Sequence, residues 1–229
     1  MSSPVRRRSG QAASLLFAFF LVGVGACTRG PGQSELKRIA TSDEVRQKRE
    51  QTERDLRARA DEIRGSSPWG PPLRITVVDT CSRGGGKNYL DQNAPKQPAM
   101  SCMMRLHLYF AVDRPVPQVL QDLRSMRTPT TWSEGSIHSA LRYYEHKRYE
   151  EPHSYPPSIG SRAGGERLAW DAPGDDARVK VPEPCPGRKT VFSTCVTEPT
   201  EVTLSSMRER PGTLFEWTLT AGYHSVAGT

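Results

Sequence analysis

The 229-residue chain opens with an apolar run. Residues 12–26, AASLLFAFFLVGVGA, carry no charge. The polar stretch 42–64 has only a thin apolar stripe of Val45, Leu56, Ala60 and Ile63. That pattern predicts a polar helix, opened by a T-x-x-E capping box at Thr41 and Glu44 and stopped by Gly65 and Pro68. Glu44–Lys48, Glu50–Arg54, Glu53–Arg57 and Asp55–Arg59 set an acid four residues before a base, the favourable orientation on a helix. Such a helix either rises ~34 Å as a spacer or lies along the domain that follows.

Residues 65–72, GSSPWGPP, read as a linker. Alternation then predicts a strand through Leu73, Ile75 and Val77. A longer one follows, with Met104, Leu106, Leu108, Phe110 and Val112 on one face and Arg105, His107 and Tyr109 on the other. Pro115 and Pro117 open an amphipathic helix carrying Val116, Val119, Leu120, Leu123 and Met126. A second helix is expected over 136–148, with Ile137, Ala140, Leu141 and Tyr144 on one face, then a loop over 151–165. Short strands are expected at 167–171 and 178–181, and a C-terminal meander at 190–197, 201–208 and 213–225, the last with Phe215, Trp217, Leu219, Ala221 and Tyr223 on one face. The fold class is therefore α+β: mainly antiparallel sheet with one or two packed helices, preceded by a signal peptide and the polar N-terminal helix.

The first segment changes the picture. Its apolar run has 15 residues, short of the ~20 that span a bilayer. With Arg6, Arg7 and Arg8 before it, it reads as a signal-peptide core. Val24-Gly25-Ala26-Cys27 closes the run, and there the sequence resembles a bacterial lipoprotein signal. The resemblance implies a diacylglyceryl thioether on Cys27, which becomes the mature N-terminus. Two acyl chains give stable attachment where one gives only reversible binding. The implied layout is a signal peptide at 1–26, a tether at 27–41, the polar helix at 42–64, the linker at 65–72 and an extracytoplasmic domain at 73–229.

Four cysteines remain. An even number in an exported chain reads as two disulfides, with three possible pairings. Strand ends and short loops favour Cys81–Cys102 and Cys185–Cys195. No cysteine pair has C-x₂-C spacing and no two histidines of 132–157 stand at i,i+4, so no metal site and no cofactor is expected.

The formal net charge is +7, falling to +4 without residues 1–26. Arginine outnumbers lysine 25 to 7 and asparagine occurs twice, which fits G+C-rich coding as well as any anionic partner. No basic stripe points to nucleic acid. Catalytic motifs fail on spacing. CSRGGGKN lacks the first glycine and the final Ser or Thr of a phosphate loop, and Ser34-Glu35-Leu36-Lys37 has no companion S-D-N or K-T-G. Asp171, Asp175 and Asp176 read as solvated turn residues.

One segment stands out. Residues 132–157 hold four of seven tyrosines and three of five histidines. Spacing assigns Tyr144 to the core with Ile137 and Leu141. It leaves Tyr143, Tyr149 and His146 as a candidate binding surface, since tyrosine gives large, rigid contact area.

Lipobox, polar helix, disulfide-closed strand pair, V-x-x-V-L-x-x-L helix, Tyr-Tyr segment and Trp-ended strands together resemble the small, uncharacterised membrane lipoproteins of high-G+C Gram-positive (actinobacterial) bacteria. The resemblance implies a domain on the outer face of the cell membrane and no particular activity. The leading reading is a non-catalytic binding module for an envelope protein or ligand. The alternatives are a cell-envelope hydrolase or transferase, and a solute-binding lipoprotein.

Overall fold

The structure, a computed structural model, describes residues 30–84, 97–125, 132–146, 157–172, 179–185 and 190–228. The fold is α+β, built on one six-stranded antiparallel sheet. Two helices lead: α1, Gln33–Ala40, and α2, Asp43–Ser66. β1, Arg74–Arg83, and β2, Met100–Val112, follow, then α3, Val116–Ser125, and α4, Glu134–His146. β3, Ser158–Gly160, β4, Glu166–Trp170, β5, Phe192–Glu198, α5, Leu204–Arg208, and β6, Thr213–Val226, complete the chain. The strand order is β3-β4-β6-β2-β1-β5.

The alternation predicted for β1, β2 and β6 is realised. Leu106, Leu108 and Phe110 face the helices together with Leu219, Trp217 and Phe215, their register partners on β6. Three helices, α2, α3 and α4, cover this face through Leu56, Ala60 and Ile63, then Val119, Leu120 and Leu123, then Ile137. All four tryptophans of the chain are in this layer: Trp132 lies 5.0 Å from Trp217, and Trp170 lies 5.9 Å from Phe215.

Several expectations change. Within the tether expected at 27–41, Gln33–Ala40 is helical, and Leu36 and Ala40 are fully buried against Cys81, Met100 and Cys102. The cap of α2 is Ser42, not Thr41: its hydroxyl accepts from the Val45 N–H, whereas Thr41 donates to the Lys37 carbonyl and closes α1. Glu44–Lys48 and Glu53–Arg57 form, but Arg54 turns to Gln51, and Arg59 turns to Glu62 and Glu166. In the linker, Trp69 stacks on Phe215 at 5.7 Å and meets Phe110 edge-on at 5.5 Å, so 65–72 is joined to the core.

The C-terminal third is not a meander. β5 pairs with β1 at one edge, while β6, the longest strand, sits between β4 and β2. The strand expected at 201–208 is instead a short helix. Thr203 and Ser206 bond reciprocally across its first turn, a capping box. Val179–Val181 is not a strand; Asp171 accepts from the Val181 N–H and from Arg208, which fixes that segment over β6. The expected loop at 151–165 contains β3. Before β6, Gly212 has φ +104°, and a Cβ there would stand 2.3 Å from the Val112 carbonyl oxygen; only glycine fits that turn.

Candidate functional site

Both expected disulfides are formed. Cys81 and Cys102 are direct cross-strand partners on β1 and β2, buried under α1. Cys185 and Cys195 join the 179–185 segment to edge strand β5, where both are exposed. Cys27 lies outside the described residues, as do Tyr149, His153, Tyr155, Asp175 and Asp176. Tyr143 and His146 fall in α4, but their side chains are outside the described set.

What the structure places on 132–157 is a cleft. α3 and α4 lie side by side on the sheet, and between them opens a space of about 370 Å³ lined by Arg124, Glu134, Gly135, His138 and Leu141. The volume is near the lower end for small-molecule sites. Amphipathic packing explains its position. Ile137 is buried and Ala140, Leu141 and Tyr144 are half-buried, so α4 turns His138 outward at the rim. Gly135 adds no side chain, and the Arg124 Nε stands 3.3 Å from Glu134 Oε2. The cleft thus sets a cation, a carboxylate and an imidazole around one leucine. The core assignment of Tyr144 agrees with its geometry: its hydroxyl accepts from the Trp170 indole N–H at 2.7 Å.

Sequence reasoning missed a second group, on the opposite sheet face. His107 and Glu216 are nearly buried, with Nδ1 and Oε1 2.8 Å apart; the Tyr109 hydroxyl donates to the same Oε1 at 2.9 Å. Arg74 stacks over the Tyr109 ring and grips Glu183 with two hydrogen bonds. Burial, and then the charge of Glu216, push the Tyr109 phenol far above the ordinary tyrosine range, so it is a fixed donor. The ring's Nε2 has no hydrogen-bond partner among the described residues and reaches solvent. The nearest hydroxyl, Thr218 Oγ1, lies 3.4 Å from Nδ1, the nitrogen Glu216 already holds. A nucleophile triad needs hydroxyl and carboxylate on opposite nitrogens, so these four residues are not wired as one. The available sequence signal was Glu216 itself, a carboxylate between Phe215 and Trp217 in an apolar strand.

A third polar cluster is structural. Asp79 faces α2; it accepts from Arg49 of that helix and, at 2.6 Å, from the Tyr223 hydroxyl of β6. Arg49 also donates to the Ala40 carbonyl and lies 4.0 Å over the Phe192 ring, so it ties α1, α2, β1 and β5 together. Burial pushes Asp79 up despite both partners, and burial together with Asp79 pushes Tyr223 up. Among the described residues no group of three His, Cys, Asp or Glu is placed to hold a metal ion, and no helix is long and apolar enough to cross a membrane.

No family model, curated protein or solved structure matches the chain.

Proposed function

We propose that the chain is a lipid-anchored binding module on the outer face of a cell membrane, of the style seen in small actinobacterial lipoproteins. The anchoring half rests on residues 24–27 and on the two disulfides, which persist in oxidising compartments. The binding half rests on one observation: the α3–α4 cleft lies on the Tyr- and His-rich segment 132–157. In this reading Cys27 carries lipid, and His138 and Leu141 contact the ligand or partner, with Tyr143, His146 and Tyr149 extending the surface.

A second reading, a cell-envelope hydrolase or transferase, has the His107–Glu216 pair in its favour, because an imidazole held at Nδ1 leaves Nε2 free as a base. The arrangement of Thr218 speaks against a built-in nucleophile, so the binding module stands first.

Photocrosslinking residues placed at 138 and 143 of the membrane-attached protein test the surface. Discrete adducts from these positions, and none from position 50 on the exposed flank of α2, are the expected result. Identical adducts from all three would contradict a surface at α3–α4.

A further inference from the structure

The sheet face away from α2, α3 and α4 is covered at one end by α5 and the 179–185 segment, which pack on Tyr109, Ala169 and Leu214. Beyond that cover it carries hydroxyls and arginines. Register places Arg167, Thr218, His107, Thr76 and Thr197 in one row across β4, β6, β2, β1 and β5. In the next row Arg105 stands opposite Thr220. Arg105 and Arg167 are exposed, and neither has an ion-pair or hydrogen-bond partner among the described residues.

The nearby carboxylates are committed elsewhere. Glu216 is held by His107 and Tyr109, Glu183 by Arg74, and Asp171 by Arg208. Among the described residues the patch therefore has two uncompensated guanidinium groups. They are two strands and one same-face step apart, so their Cα atoms are ~12 Å from each other. Thr218 and Thr220 lie on the strand between, and the free Nε2 of His107 borders them.

We infer that this open sheet face binds a diphosphate or phosphodiester group of a soluble or polymer-borne ligand, with Arg105 and Arg167 as its clamps. Both arginines can converge on a group above Thr218 and Thr220. A tetrahedral phosphate presents oxygens to two forks and to hydroxyl donors at once, whereas one carboxylate satisfies a single fork. Bilayer headgroups fit less well, because this face offers nothing to insert. The exposed large hydrophobic residue among those described, Val196, shares the opposite face with Val77, its partner on β1. The site is separate from the α3–α4 cleft and does not depend on the anchor.

Calorimetric titration of the detergent-extracted full chain with pyrophosphate tests this. Saturable binding, weakened at least tenfold by R105A and by R167A but not by R46A on α2, is expected. Both clamps are exposed and have no partner among the described residues, so unchanged thermal midpoints should accompany the loss. Absence of binding, or binding indifferent to both substitutions, overturns the proposal. So does a C27A protein that cosediments with phosphatidylglycerol vesicles through Arg105 and Arg167 and is not displaced by pyrophosphate, since the site would then serve lipid headgroups.

Discussion

Asp79 shows how far one residue's surroundings alter its chemistry. It sits on the core face of β1 among apolar neighbours, and burial raises its pKa even though Arg49 and Tyr223 both stabilise the anion. A folded-state pKa above the unfolded value of ~3.9 means that the native protein binds this proton more tightly than the unfolded chain does. The contribution is fully present below the unfolded value and is lost as pH rises through the raised one. Asp79→Asn fixes the site in a neutral form. Wild type should therefore gain stability relative to Asp79→Asn as pH falls from 7 towards 4, read from urea midpoints across that range. A gap that stays constant, or that narrows on acidification, would contradict the assignment. The sequence shows an acid in a β-strand pattern and nothing more. Its partners stand 30 and 144 positions away, so only the fold brings them together.

At the level of elements, legibility followed the strength of the local pattern. β2 and β6 were readable because five alternating apolar positions fix a face, and a one-residue slip would expose all of them. α2 was readable as a helix from its charge pairs, but its packing was not, because a stripe of four apolar residues in 24 fits a spacer as well as a docked helix. Docking is decided by long-range partners: Arg57 reaches Glu198, Arg59 reaches Glu166 and Arg49 reaches Asp79. α1 was hidden behind Pro31-Gly32, although Leu36, Ile39 and Ala40 carry helical spacing. At 201–208 a strand of the C-terminal meander was expected, and the Thr203–Ser206 cap makes it a helix. Ile63 separates the two views of α2. Its side chain is fully buried, so Ile63→Ala should cost about 3 kcal/mol in a denaturant titration. A change below ~0.5 kcal/mol is what an exposed spacer would give.

For the molecule as a whole, the docked helices bring the domain close to its proposed anchor. Only the residues between Cys27, the proposed lipid site, and Gln33 precede α1, a reach of at most ~20 Å at 3.3–3.6 Å per residue. α1 packs at the sheet end that holds Cys81 and Cys102, and α5 lies at the other end of the β1–β2 ladder; under the proposed anchoring the first end would face the bilayer and the second would face away. The candidate cleft and the open arginine-bearing face flank the sheet on its two sides, so neither would be hidden by the proposed anchoring. The sequence marked the segment 132–157 but not the cleft on it, and gave no sign of the arginine-bearing face. The cleft depends on how α3 and α4 pack, and the other face depends on β6 entering between β4 and β2. The proposal puts lipid at Cys27, the structure closes two disulfides, and intact-mass spectrometry of the protein extracted from its native membrane reads both at once. The account predicts a chain beginning at Cys27, carrying a diacylglyceryl group, whose mass does not change on alkylation until reductant is added. A mature chain that begins elsewhere without lipid, or one that takes up alkylating reagent before reduction, would contradict it.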